Sequence, residues 1–360
     1  MAESSMIQAF SNSSRTMATR HPHTAALRKA TRSFETEIPS RNQLYSGIVC
    51  PFPLRLNPQL ASAESSSLTW LMKLGLTPTL KHRARVSKAH LSTLVAGFYP
   101  TAALAELELA SDYVCWAFAL DDIGDETEVG ERPARLLDLF EGFELALQGR
   151  APGASASPLD RGLSDIVQRV SKFTTPEQLA DFVEGNRAYF GAMLWEANNR
   201  AHGQVPDEPA YLTFRPAAGA VPSFFSLIEP LERITLSPRL RADQALQDLA
   251  RLTGNIICWI NDVLSYEKER AHGDFHNLVM VYEHHRQLPP SVAATRALTT
   301  INSAIADFNA GAQRLPSFGR AEDEQLRRYL DTLRAVIRVT LDWTYDSSRY
   351  HGSDSRSERR

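Results

Sequence analysis

The sequence predicts an all-α chain, one single-domain bundle of ten or so helices, and three observations carry that expectation. Apolar residues recur at helical spacing along most of the length, no apolar–polar alternation runs long enough for a strand, and prolines stand at the starts of periodic segments. A helix beginning near Pro176 carries Leu179, Phe182, Val183, Tyr189, Phe190, Met193 and Leu194. Another opens at Pro238 and is expected to run unbroken through Leu246, Leu249, Ile256 and Ile260. In the last long segment, Leu326, Leu330, Leu333, Ile337 and Leu341 share one apolar face. Breaks are expected at "GRAPGASASPLD" (149–160), "AHGQVPDEP" (201–209) and "RPAAGAVP" (215–222).

Composition narrows the function. The 360 residues are 43% hydrophobic and 22% charged, with a formal net charge of −3. That balance gives no general affinity for nucleic acid or an anionic membrane. The longest apolar run, "YVCWAFAL", is far short of a bilayer span, so no integral membrane contact is expected. Cys50, Cys115 and Cys258 are odd in number and widely separated, which favours a reducing, cytoplasmic compartment over a disulfide framework. Residues 4–34 hold five basic residues and no acid. A tail outside the fold is the expected reading, and an organellar targeting segment is the alternative.

Two polar clusters interrupt the apolar helices. "VCWAFALDDIGDE" (114–126) ends in four acids within six positions, and Asp121 and Asp125 are four apart, on one helix face. Like charges packed so closely call for a cation, and Mg²⁺ suits carboxylate oxygens and phosphate together. Asp122 points about 100° away and is expected to support the ligands rather than bind the ion. In "NDVLSYEKE" (261–269), Asn261, Ser265 and Glu269 recur at i, i+4 and i+8, drifting only about 40° per step. They offer an amide oxygen, a hydroxyl and a carboxylate to one ion, and Asp262 is given the same supporting role as Asp122. Lys268 lies off that line but within reach of the same phosphate. Asn and Ser are unfavourable in mid-helix, so structure alone does not explain them. Two Mg²⁺-suited faces on separate helices imply a diphosphate between them.

At this point the residues resemble the class I terpene synthases in their single-domain microbial form. That family pairs a DDxx(x)D/E motif with an ND(L/I/V)xSxxKE motif, matched here by "DDIGD" and "NDVLSYEKE". "RPAAG" aligns Arg215 with the family's diphosphate sensor, Ala218 with its linker and Gly219 with its effector, although many relatives carry a polar linker. "SSRY" aligns Arg349 and Tyr350 with a terminal pair that closes over the diphosphate. With "PFPLRLNP" and "SLTWLMKLGL" near the start, the resemblance covers about residues 38–350, leaving tails at 1–37 and 351–360.

The resemblance implies a helical bundle around a central apolar cavity and three Mg²⁺ ions, with Mn²⁺ as the alternative. It also implies a prenyl diphosphate held by Arg215, Lys268, Arg349 and Tyr350. Arg215, Gly219 and Tyr350 are then the catalytic residues. Cyclisation of farnesyl diphosphate to a sesquiterpene, by a monomer or homodimer, is the expected activity; a monoterpene or diterpene synthase is the alternative. A chain-elongating or squalene synthase-like enzyme would need a second aspartate-rich motif where Asn261, Ser265 and Glu269 stand. A noncatalytic diphosphate-binding protein has no need of both ligand sets. Phe118 and Trp343 are the expected π-faces for a cation. Phe98, Tyr99, Trp116, Phe190 and Trp195 are less securely aimed.

Overall fold

The computed structural model describes residues 38–350 apart from residue 127, with the side chains at 125, 126, 128 and 131 outside that description. The tails expected at 1–37 and 351–360 lie outside the described residues. Among the described residues every regular element is helical. Four helices come first: α1 (Arg41–Gly47), α2 (Leu60–Leu74), α3 (Leu80–Ala89) and α4 (Leu91–Phe98). The long α5 (Leu104–Glu126) and a 3-10 turn (Glu128–Glu131) lead to α6 (Pro133–Leu147), α7 (Pro158–Val170) and α8 (Pro176–His202). Shorter pieces follow: α9 (Glu208–Ala218), α10 (Val221–Ser226), α11 (Ile228–Glu232) and α12 (Pro238–Arg241). Last come α13 (Gln244–His272), α14 (Leu278–Arg286), α15 (Pro290–Arg314), α16 (Arg320–Asp346) and a 3-10 turn, Ser348–Tyr350.

The ends of these helices are written locally. Ser157 and Thr175 form capping boxes with Asp160 and Gln178, each followed by a proline in the first turn. Gly203 and Gly273 end α8 and α13 in the left-handed region, where a side chain would be strained. Two sequence expectations need correction. The helix opened by Pro238 stops at Arg241, because Asp243 caps a new helix by accepting from the Leu246 amide. The expected break at 215–222 shrinks to Gly219 and Ala220, with Arg215 and Pro216 inside α9. Pro216 forgoes the hydrogen bond to the Leu212 carbonyl, and the helix ends two residues later at Ala218.

Packing places the two acidic helices on either side of one space. α5 lies against α2, α4 and α7, while α13 lies against α15 and α16, and α16 crosses α4. That last crossing is close: a Cβ on Gly97 of α4 would stand 2.3 Å from Val339 Cβ on α16. On the other side, a Cβ on Gly185 of α8 would stand 2.5 Å from the backbone nitrogen of Ser223 in α10. A buried polar link spans the middle, where the Tyr113 hydroxyl of α5 lies 3.0 Å from Asn186 Oδ1 and 2.6 Å from Ser223 Oγ.

Candidate active site

The two motif helices face one cavity of about 170 Å³. On α5, Val114, Ala117 and Phe118 line it, followed one turn later by Asp121. On α13, Ile257 and Cys258 line it, followed by Asn261, Lys268 and Glu269. Both helices therefore change from apolar to polar in the same direction, giving the cavity a greasy interior and a charged end.

At the charged end, Asp121 is bound by Arg349, whose Nη2 lies 2.7 Å from Oδ2. The other nitrogen of the fork, Nη1, reaches Asp122 Oδ1 at 2.6 Å, and Arg85 approaches that oxygen at 3.3 Å. The sequence reading gave Arg349 to the diphosphate; here it joins the aspartate motif to the Ser348–Tyr350 turn. Burial raises the Asp122 carboxyl above its usual range, opposed by Arg349. Asp125 belongs to the same helix, but its side chain lies outside the described residues.

Across the cavity, the i, i+4, i+8 row keeps its face. Ser265 Oγ donates to the Asn261 carbonyl at 2.7 Å, which spends its proton and leaves lone pairs on the oxygen. Glu269 accepts from Asn277 Nδ2 at 2.7 Å, on Oε2. Burial pushes the Glu269 carboxyl up to about 7, and the neighbouring Asp262 and Asp274 add to the push. An amide oxygen, a hydroxyl and a half-buried carboxylate are a donor set suited to a hard divalent ion. Asp262 faces away from that row, fully buried: it accepts from Arg215 Nε at 2.9 Å, from the Leu278 amide at 3.1 Å and from the Tyr211 hydroxyl.

Arg215 is thus pinned before any ligand arrives. Its Nη2 also donates to Asn261 Oδ1 at 3.0 Å, so the arginine touches both leading residues of the second motif. Three and four residues on, Ala218 and Gly219 line the cavity at the break between α9 and α10. A Cβ on Gly219 would meet Cys258 Sγ at 3.2 Å, while Ala220 takes the left-handed conformation at φ 54°. Lys268 Nζ sits 5.5 Å from the centre of the Tyr350 ring.

Phe118 and Trp343 both line the cavity, with ring centres 5.6 Å apart, and Phe98 lines it too. The other aromatic candidates do not. Tyr99 donates to the Phe224 carbonyl at 2.7 Å, and Trp116 donates to the Leu159 carbonyl at 2.9 Å. Phe190 packs among Phe140 and Phe143, and Trp195 stacks on Phe214 at 4.8 Å. Tyr189 and Phe224 line the cavity in their place.

Sequence reasoning missed a second polar group at the charged end: Glu196, Asp274 and His276. Asp274 accepts from Arg200 Nη1 at 3.0 Å and pairs with His276 Nδ1 at 2.9 Å. Burial alone would raise its pKa, but His276 and Arg200 hold it well below the usual carboxylate range. Burial raises that of Glu196. A signal exists in the sequence: Glu196, Asn199 and Arg200 mark one face of α8, and "GDFHN" follows the second motif directly.

Comparison with known proteins agrees with this geometry. A family model described as terpene synthase family 2, C-terminal metal binding, matches residues 112–307. The chain is 35% identical over 304 residues to a (+)-T-muurolol synthase, (2E,6E)-farnesyl diphosphate cyclizing, of Roseiflexus castenholzii, covering 84% of this chain and 93% of the relative. It is 28% identical over 311 residues to a germacrene A synthase of Nostoc punctiforme, covering 86% and 96%. The crystal structure of a linalool/nerolidol synthase from Streptomyces clavuligerus superposes with a TM-score of 0.74 at 28% identity, covering 82% of this chain and 99% of that one. The chain belongs to the terpene synthase family, and its bundle is the class I terpenoid synthase fold. No described helix is long and apolar enough to cross a membrane.

Proposed function

We propose that this protein ionises farnesyl diphosphate with Mg²⁺ and cyclises the resulting cation to a sesquiterpene, hydrocarbon or alcohol, releasing diphosphate. The observation that carries the reading is the pair of oxygen-donor sets, Asp121 on α5 and Asn261 and Glu269 on α13, at the charged end of one apolar cavity, with Ser265 buried between the last two on the same helix. The farnesyl substrate is supported by the printed activity of the T-muurolol synthase relative. In this reading residues 38–350 are the catalytic domain, and the enzyme is cytoplasmic, a monomer or homodimer.

Asp121 and Asp125 hold ions on one side, and Asn261, Ser265 and Glu269 hold one on the other, three Mg²⁺ in all, with Mn²⁺ as a substitute. Bound there, the metal supplies Lewis-acid stabilisation of the charge that grows on the leaving diphosphate. Arg215, Lys268 and Arg349 donate to the diphosphate oxygens, adding fixed positive charge where the bond breaks, and the neutral Tyr350 hydroxyl adds a further hydrogen bond. Asp262 orients Arg215 toward the cavity, and Asp122 does the same for Arg349. Gly219 leaves room at the helix break for the substrate's reacting end. Phe118 and Trp343 present π-faces to the cation, and the aliphatic walls exclude water that would quench it.

The test is diphosphate release by Asn261→Ala and Asp121→Ala. Both are expected to keep their helical circular dichroism and to lose turnover by at least about a hundredfold, the scale of losing one stabilising group in the transition state. A fully active, folded Asn261→Ala variant would refute the metal assignment.

A further inference from the structure

The turn Ser348–Tyr350, which carries Arg349 and Tyr350, is held from the opposite end of the sequence. Arg41, the first residue of α1, donates from Nη1 to the Tyr350 carbonyl at 2.5 Å. Its Nη2 donates to the Tyr345 carbonyl at 2.8 Å and to the Thr344 carbonyl. Arg41 is only partly exposed, and among the described residues no carboxylate lies within ion-pair distance of it. Burial lowers its pKa, and its Nε hydrogen has no acceptor. The guanidinium is spent on three backbone oxygens and on the face of the Tyr345 ring, 5.7 Å from the ring centre.

Two of its three bonds have an ordinary explanation. The last carbonyls of any α-helix lack partners, and a cation at that end also suits the helix dipole, so Arg41 caps α16. The third bond does not fit that role. Tyr350 lies beyond the end of α16, across a turn, and directly follows Arg349, which grips Asp121 and Asp122. α1 has other ways to dock. Tyr45 donates to Asp342 at 2.9 Å, the Tyr45 and Tyr345 rings stack with centres 4.1 Å apart, and the Tyr345 hydroxyl donates to Asn42 at 2.6 Å. Arg41 is therefore not needed simply to keep α1 in place.

We propose that Arg41 is a positioning residue for the closing turn: it fixes the backbone on which Arg349 and Tyr350 stand, so that both meet the diphosphate without further ordering. The proposal rests on the function proposed above, in which those two residues donate to the leaving group. A turn already fixed does not have to be ordered on binding, which raises affinity and keeps water from the cation.

The experiment titrates inorganic diphosphate with Mg²⁺ into wild type, Arg41→Ala, Arg41→Lys and Asn42→Ala by calorimetry, and analyses the products each makes from farnesyl diphosphate. Arg41→Ala is expected to bind diphosphate about tenfold more weakly, the scale of one charge-assisted hydrogen bond, and to give more water-quenched alcohol. Asn42→Ala, which loosens the same helix pair without touching the Tyr350 carbonyl, is expected to match wild type in both readouts. Arg41→Lys, whose single ammonium cannot span three carbonyls, is expected to fall between, and it decides the matter if Arg41→Ala does not fold. Folded Arg41 variants that match wild type would overturn the proposal, as would an equal loss in Asn42→Ala. A wild type that binds no diphosphate would overturn the functional reading, and the role of Arg41 with it.

Discussion

Two nitrogens of Arg215, Nε and Nη2, lie 2.9 Å and 2.8 Å from one oxygen of Asp262, a side chain that solvent does not reach. This contact gives the second residue of "NDVLSYEKE" a task different from that of its neighbours. Asn261 and Glu269 line the cavity with Ser265 buried between them, while Asp262 turns to Arg215 and fastens α9 to α13. The arginine expected to sense diphosphate is thereby aimed by the helix expected to hold metal.

Removing the carboxylate should therefore be expensive. Asp262→Ala takes the acceptor from Arg215 Nε and from the Tyr211 hydroxyl and leaves the arginine only Asn261 Oδ1, and a loss of about 3–5 kcal/mol is expected for a broken buried ion pair. Chemical denaturation measures it, and a loss below about 1 kcal/mol would mean that Asp262 is not the anchor.

The crossing of α4 and α16 depends on the absence of a side chain at Gly97. Gly97→Ala would place a Cβ 2.3 Å from Val339 Cβ, so the helices must separate. The expected cost is about 1–3 kcal/mol, read as a lower melting temperature. Leu94, Val95 and Phe98 line the cavity from the same helix, so the product spectrum should shift as well.

Ala220 holds the left-handed backbone at the break between α9 and α10. Relief of that strain outweighs the added freedom of glycine in the unfolded chain, so Ala220→Gly should stabilise the fold by about 0.5–1 kcal/mol. Destabilisation in thermal melts would show that the alanine methyl contributes packing worth more than the strain.

The pH dependence of stability is expected to involve Asp112, buried on α5 and paired with Arg169 at 2.8 Å. Burial raises its pKa from 3.8 to about 6, against the pull of Arg169. A raised carboxyl pKa means that the folded state holds the proton more tightly than the unfolded chain. Its stabilising contribution is thus complete below pH 3.8 and is lost as the pH rises through about 6. Relative to Asp112→Asn, wild type should lose on the order of 2 kcal/mol between pH 4 and pH 7. Parallel melting curves for the two proteins across that range would contradict the assignment.

What the sequence revealed follows the reach of its periodicities. The 3.6-residue repeat puts Asn261, Ser265 and Glu269 on one face, and they stand so on α13. It places Phe118 one turn before Asp121, and both line the cavity. The same logic misjudged local signals in competition: Pro238 looked like the start of a long helix, but the Asp243 cap restarts the chain. Pro216 looked like a break, yet it lies within α9. Long-range partners carry no such signature. Nothing near Asp262 announces Tyr211, nothing near Glu269 announces Asn277, and Arg41 meets the Tyr350 carbonyl 309 residues away. Aromatic residues were hardest to sort, because Trp116 and Phe118 are only two positions apart, one in the core and one on the cavity wall.

The most direct test of the central claim is incubation of purified protein with farnesyl diphosphate, with and without Mg²⁺, followed by mass analysis of extracted volatiles. The account predicts a cyclic C15 product that forms only when Mg²⁺ is present. No product from demonstrably folded protein, or product formation indifferent to Mg²⁺ removal by chelation, would contradict it.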